Sequence, residues 1–213
     1  MKYAVFADIH GNLPALEAFL HAVKDNVHGY ICLGDVVGYG PMNDTCIERV
    51  SRLPNFVFLK GNHEQMFLDM DTSNCSIVAK AFFEISRKLF SRSDLLPAQE
   101  EFRLGSWKFC HSPKKDEVWL YPYDAEKIPA LNDHLCIGHT HHQARFEKDG
   151  FMLVNVGSIG QNRAAKNVAC WGLYDTVEDD LVLCSVQYDI EPFLRAMLDS
   201  GYAEELIDYY KGK

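Results

Sequence analysis

The sequence predicts an α/β domain whose first half is a parallel sheet and whose second half is more antiparallel. Three observations carry this. Strands and helices alternate three times within about sixty residues, the pattern of βαβ units. Each early strand is closed by a polar residue or a glycine–polar pair: Asp8, Gly34-Asp35 and Gly61-Asn62-His63. Beyond residue 91 the apolar runs become short and are separated by turn signals.

The apolar run Tyr3–Ala7 reads as a buried strand that ends in Asp8. Asn12 is a helix cap, with Pro14 in the first turn and Leu13, Leu16, Phe19, Leu20 and Val23 on one face. Tyr30–Leu33 is the second strand. Asn43–Leu53 is a helix with Glu48 and Arg52 at i, i+4. Phe56–Leu59 is the third strand. From His63 to about Ser91 the chain reads as largely helical, with Ile77, Ala81, Phe82, Ile85, Leu89 and Phe90 at helical spacing. Short strands follow at Glu101–Leu104, Trp107–Cys110, Leu135–Ile137, Ala144–Phe146 and Phe151–Asn155, then two longer ones, Val168–Tyr174 and Leu181–Tyr188. Ile190–Leu198 and Ala203–Tyr210 are the closing helices. There is no internal repeat and no linker, so residues 1–213 read as one domain, with a helical, lid-like segment over 65–91 and C-terminal helices over 189–211.

Composition narrows the partners. Lys and Arg number 21 against 30 Asp and Glu, a formal net charge of −9. Such a surface repels extended nucleic acid and anionic membrane, while leaving room for a small cationic site. The seven Cys stand singly and are odd in number, the pattern of reduced thiols in a cytoplasmic protein. No apolar run approaches the roughly 18–20 residues that span a bilayer, and MKYAVFADIH has no signal-peptide pattern.

The polar groups that directly follow strands are Asp8-x-His10, Gly34-Asp35, Gly61-Asn62-His63-Glu64, His111 and Gly138-His139-Thr140-His141. In open α/β sheets the ligand site lies beyond the carboxyl ends of the strands, so these groups are expected to converge. An i, i+2 pair in extended chain points both side chains the same way, which would let Asp8 act with His10 and His139 with His141. Each fragment alone is weak, since a lone His or a Gly-Asp pair is commonly a hydrogen-bonded surface residue or a turn. Together, two Asp, one Asn and four of these five His are costly to cluster without a cation.

In this order the blocks D-x-H, GD, GNHE, H and GHTH resemble the calcineurin-like metallophosphoesterases, over about Lys2 to Tyr188. GDVVGYGP and NVGSIGQNR look most like the small bacterial and archaeal phosphodiesterase-like branch. The resemblance implies a four-layer αββα sandwich of two mixed sheets flanked by helices, carrying two divalent metal ions. It implies that Asp8, His10, Asp35 and His141 hold one ion and Asp35, Asn62, His111 and His139 the other, with Asp35 bridging. His63 would then face the substrate, binding a phosphoryl oxygen or protonating the leaving group. Two ions that outweigh two carboxylates suit attack on a phosphate ester by a bridging hydroxide. The mixed donor set favours Mn, and accepts Fe, Zn, Co, Ni or Mg. The expected substrate is a small phosphorylated or nucleotide molecule, as monoester, diester or pyrophosphate.

Many relatives carry a second acid a few residues after GD, which orients the histidine corresponding to His63; Asp35-Val36-Val37-Gly38-Tyr39-Gly40 has none. The stretch Glu100–Trp119 also lacks the arginine pattern of a protein serine/threonine phosphatase, which stands as an alternative together with a non-catalytic metal-binding scaffold of the same fold. Metallo-β-lactamase-like and amidohydrolase readings fail: His139–Ala144 reads HTHHQA without the required acid, and HxH comes late in the chain. Lys114, Lys115, Arg163 and Lys166 read first as solvated loop charge and second as substrate contacts. Asn155 and Ser158 are candidates to steady the histidine ligands, with a plain turn the alternative. Tyr39 and Pro41 are candidates for a pocket wall. Leu206, Ile207 and Tyr210 face either the domain's own sheet or a second copy in a homo-oligomer.

Overall fold

The computed structural model describes residues 1–73, 75–115, 118–122, 128 and 130–211. β1 (Lys2–Phe6), α1 (Leu13–Val23), β2 (Gly29–Cys32), α2 (Asn43–Ser51) and β3 (Phe56–Phe58) form the expected alternation. α3 (Asn62–Asp69) and α4 (Ile77–Ser86) lead to the strands β4 (Glu101–Leu104), β5 (Trp107–Cys110), β6 (Lys114–Lys115), β7 (Val118–Trp119) and β8 (His134–Ile137). β9 (Gln143–Lys148), β10 (Phe151–Val156), β11 (Val168–Asp175), β12 (Asp180–Gln187), α5 (Glu191–Asp199) and α6 (Glu204–Lys211) complete the chain.

Two mixed five-stranded sheets result, in the orders β12-β11-β1-β2-β3 and β4-β5-β8-β10-β9. β1, β2 and β3 run parallel, as do β5, β8 and β10. The remaining strands join antiparallel at the flanks. Val5, Ala7, Ile31, Leu33 and Leu59 of the first sheet pack face to face with Trp107, Phe109, Cys136, Val154 and Val156 of the second. This interface places the carboxyl ends of β1, β2, β3, β5 and β8 along one rim.

α1 covers the outer face of the first sheet. Its Leu16, Phe19, Leu20 and Val23 are buried, with the Phe19 ring 4.8 Å from Phe6 and 5.4 Å from Trp171. Asn12 caps it, accepting from the Ala15 N–H at 3.2 Å. The outer face of the second sheet is covered by Ile128 and Leu131, which pack on Cys110, Leu135, Ile137 and Leu153.

The stretch expected to be largely helical, His63 to Ser91, contains two α-helices, α3 and α4. Met70 takes a left-handed conformation (φ 54°) that ends α3, and the Ser76 side chain caps α4 by accepting from the Ala79 N–H. Phe67, Phe82 and Phe83 are buried core residues. The hairpin of β6 and β7 was not legible, because two-residue strands leave no periodic signal. Cys32, Cys46, Cys110, Cys136 and Cys170 are buried and all seven cysteines are free. Among the described residues, no helix is long and apolar enough to cross a membrane.

Candidate metal centre

The polar strand ends meet on the common rim. β1, β2 and β3 deliver Asp8, Asp35 and Asn62; β5 delivers His111; β8 delivers His139 and His141. The local backbone differs from the extended i, i+2 arrangement expected for the D-x-H and H-x-H pairs. Asp8, His10, Asp35, His139 and His141 all lie in the left-handed region, with φ between 51° and 67°. Non-glycine residues enter that region at a cost of order 1–3 kcal/mol each, and such strain collects at functional sites. Hydrogen bonds hold it: the Asp8 N–H donates to the Gly34 carbonyl and the His10 N–H to the Asp35 carbonyl, each at 3.0 Å. Asp8 and His10 converge because the chain turns back between them, whereas His139 and His141 part, His139 joining Asp35 and His111 and His141 joining Asp8 and His10.

The donor atoms form two overlapping groups. His141 Nε2 lies 3.2 Å from Asp8 Oδ1 and 3.1 Å from His10 Nε2. His111 Nε2 lies 3.4 Å from Asp35 Oδ2, 2.9 Å from Asn62 Oδ1 and 3.2 Å from His139 Nδ1. Asp35 stands between them, its Oδ2 also 3.8 Å from His10 Nε2. Asp8, His10 and His141 form one cluster of potential ligands, Asp35, His111 and His139 another, and His10, Asp35 and His63 a third. Asn62 and His139 are half-buried; the other expected ligands are buried.

The tautomers show what the site is built to hold. Nδ1 of His10, His111 and His141 each lies 3.1 Å from a backbone carbonyl, of Val37, Leu33 and Gln161 respectively. Donation of Nδ1–H to these carbonyls leaves Nε2 as the inward lone pair, the arrangement of metal-ligating imidazoles. The Nε2 atoms of His10 and His141 then face each other, and Asp8 Oδ1 beside them is buried without a hydrogen-bond partner. Such a set of acceptors is repulsive by itself and is satisfied by a cation. Burial pulls His10 and His139 well below the ordinary imidazole range, with His63 and His141 adding to the effect at His10 and His111 at His139. Burial pulls on His111 too, but Asp35, with Asp8 and Glu64, lifts it to about 9. A proton and a cation therefore compete for the space between His111 and Asp35.

Glu64 is a positioning residue that the sequence showed only as part of GNHE. Its carboxylate accepts from the backbone N–H groups of Asp35 (2.7 Å), Val36 (2.7 Å) and Gly61 (2.8 Å). Burial and the Asp35 charge push this carboxyl up to about 7, against the pull of those donors. The loops after β2 and β3 also touch directly: a Cβ at Gly34 would lie 2.4 Å from the Gly61 nitrogen. Gly34 has φ 109°, so glycine is required there on both counts.

Asn155 donates to the Gly138 carbonyl (2.7 Å) and to Thr140 Oγ1 (2.9 Å), and the Ser158 hydroxyl donates to the Asp8 carbonyl (2.8 Å). They brace the backbone beside the ligands rather than the imidazole rings. His63 is buried, its ring centroid 4.6 Å from His10 and 4.9 Å from Tyr39. His63 Nδ1 has no hydrogen-bond partner among the described residues. A Cβ on Gly38 would sit 2.3 Å from that atom. Gly38 therefore packs directly on the ring, and position 38 has no room for an orienting side chain.

A cavity of about 460 Å³ opens beside the centre, bordered by Asn62 and His139 and walled by Gln65, Met66, Asp69 and Trp119 among others. Lys114 lines it, paired at 2.9 Å with Glu100 and held 4.3 Å above the Trp119 ring. Lys115 is exposed, as expected for solvated charge; Arg163 and Lys166 are half-buried instead. Pro41 is half-buried, His142 is exposed, and Leu206, Ile207 and Tyr210 pack against the domain's own helices.

The calcineurin-like phosphoesterase superfamily domain matches this chain over residues 1–179. An uncharacterized protein of Methanocaldococcus jannaschii is 28% identical over 215 residues, covering 88% of each chain. The crystal structure of a metallophosphoesterase from Sphaerobacter thermophilus superposes with a TM-score of 0.79 at 23% identity, covering 99% of both chains. YfcE, a phosphoesterase from E. coli, superposes with a TM-score of 0.53 at 20% identity, covering 89% of this chain and 100% of its own.

Proposed function

The chain belongs to the calcineurin-like phosphoesterase superfamily, and from that premise we propose that it hydrolyses phosphate esters of small or nucleotide-type substrates at a two-metal centre. Asp8, His10, Asp35 and His141 would hold one divalent ion, and Asp35, Asn62, His111 and His139 the other. The observation that carries this reading is the inward convergence of His10 Nε2, His141 Nε2 and the unpartnered Asp8 Oδ1, which a cation satisfies. Imidazole with carboxylate and amide oxygen suits Mn, Fe, Zn, Co or Ni, and accommodates Mg. When bound, two such ions supply Lewis acidity and lower the pKa of a bound water.

The chain's own residues do the rest. The carbonyls of Val37, Leu33 and Gln161 fix the imidazole tautomers, so the ligands meet a cation without rearranging. The N–H of His63 donates to Asp35 Oδ1 at 2.8 Å and that of His139 to Asp8 Oδ2 at 3.0 Å, which orients both carboxylates. Burial holds His63 below the ordinary imidazole range, so it serves as a neutral hydrogen-bond donor to a phosphoryl oxygen rather than as a strong acid. Asn62, at the cavity's edge, contributes its side-chain oxygen as a ligand and helps place the substrate. The cavity beside Asn62 and His139 receives one ester substituent.

The test is metal analysis of purified protein loaded with Mn²⁺, together with hydrolysis of p-nitrophenyl phosphate and bis-p-nitrophenyl phosphate. Two ions per chain with turnover of either ester supports the proposal. Two ions with no turnover of any ester would reassign the chain as a metal-binding scaffold, and failure to bind metal would sink the centre itself.

A further inference from the structure

Arg163 and Lys166 stand apart from the other cations of this acidic chain. They lie three residues apart after β10, both half-buried, and neither has a carboxylate partner among the described residues. Both sit over one aromatic ring, that of Tyr209 on α6: Arg163 Cζ at 5.5 Å and Lys166 Nζ at 4.9 Å from its centroid. Burial and the Arg163 charge lower the Lys166 amine, the mark of two like charges held together. Ordinary loop charges would spread into solvent; these are kept on a platform.

That platform belongs to the rim of the metal centre. The Tyr209 ring packs 5.8 Å from Phe82, Phe82 4.9 Å from Tyr39, and Tyr39 4.7 Å from His10. On the other side, the Arg163 backbone N–H donates to the His141 carbonyl at 3.4 Å. The Arg163 guanidinium also lies beside Tyr121, whose hydroxyl donates to the carbonyl of Thr140, between the two histidines of the H-x-H pair. The charge of the neighbouring cavity points the same way. Among the described residues its walls carry Asp69, Asp71 and Glu100 against one cation, Lys114, so an anionic substituent is repelled there and directed to the opposite side.

We infer that Arg163 and Lys166 form an anion subsite that receives a second phosphate or carboxylate group of the substrate, close to the phosphate held at the metal centre. The proper substrate is then a phosphate ester or anhydride bearing two anionic groups rather than a singly charged ester. This rests on the proposed hydrolysis at the metal centre and specifies its substrate class. Arg163 supplies a planar fork for a bidentate contact and Lys166 a point charge.

The experiment compares wild-type protein with Arg163→Met, Lys166→Met and the double variant, all Mn²⁺-loaded with metal content measured before and after. Calorimetry gives the affinity for inorganic phosphate, pyrophosphate and phosphonoacetate. The expected result is that pyrophosphate or phosphonoacetate binds wild type at least about tenfold more tightly than phosphate, and that the double variant loses that preference. Pyrophosphate ahead of phosphonoacetate identifies the second group as phosphate, the reverse as carboxylate. An unchanged preference in the double variant, or an equal loss for all three anions, overturns the inference. Lys166→Met decides the matter if Arg163→Met unfolds. Turnover of simple esters with no anion preference would defeat this inference alone, whereas loss of both metal binding and turnover would defeat the proposed hydrolysis.

Discussion

The carboxylate of Glu64 accepts a hydrogen bond from the backbone N–H of Asp35 at 2.7 Å, so the first turn of α3 fixes the loop that presents Asp35. Val36 and Gly61 donate to the same carboxylate. In Glu64→Gln one acceptor oxygen becomes an NH₂ that meets backbone N–H groups head-on. The variant is expected to lose about 2–3 kcal/mol of stability and to bind metal more weakly at both positions. Urea denaturation and metal titration check this; wild-type values would contradict the positioning role.

His63 lies against His10 and Asp35, and the proposed function gives it a substrate-facing role rather than a ligand's. His63→Ala is expected to retain both ions and to lose activity by about 100-fold. Metal content and kcat measured on the same preparation decide it. Loss of metal instead would make His63 a ligand, in line with its proximity to His10 and Asp35.

The proton on His111 gives a pH signature. Its folded-state value of about 9 lies above the ordinary 6.5, so in the metal-free protein the protonated ring stabilises the fold fully below 6.5. That stability is lost as pH rises through about 9. A metal ion replaces the proton, so the loaded protein has no such loss at this residue. The Tm difference between loaded and chelated protein should widen from pH 7 to 9, and apparent metal affinity should rise over the same interval. A constant difference would contradict the assignment.

Asn155 braces the turn that carries His139 and His141. Asn155→Ala removes one of two donors from each acceptor: the Gly138 carbonyl keeps the Thr140 N–H and the Thr140 hydroxyl keeps the His142 N–H. A loss of about 1–3 kcal/mol is expected, with metal affinity weakened about 10–100-fold. Thermal melts and metal titration measure the two effects separately, and loss of stability with unchanged affinity would reduce Asn155 to a turn residue.

Much of this was legible in the sequence because it depends on local chemistry. The amphipathic face of α1, its Asn12 cap and the polar residue after each parallel strand are written in single windows of sequence, and the structure brings those polar residues together. Other features required the chain to be folded. The left-handed backbone at Asp8 and His10 arises from hydrogen bonds to Gly34 and Asp35, more than twenty residues away. The close packing of Gly38 on His63 Nδ1, which leaves no room for a side chain there, is visible only in the folded chain. Arg163 and Lys166 looked like loop charge until α6, some forty residues on, supplied the Tyr209 ring beneath them.

The central claim is one carboxylate shared by two ions, and metal stoichiometry of Asp35→Asn tests it most directly. Elemental analysis after loading with Mn²⁺ should give two ions for the wild type and, in the variant, weakened occupancy at both positions together. One fully occupied position surviving in Asp35→Asn would contradict the shared centre.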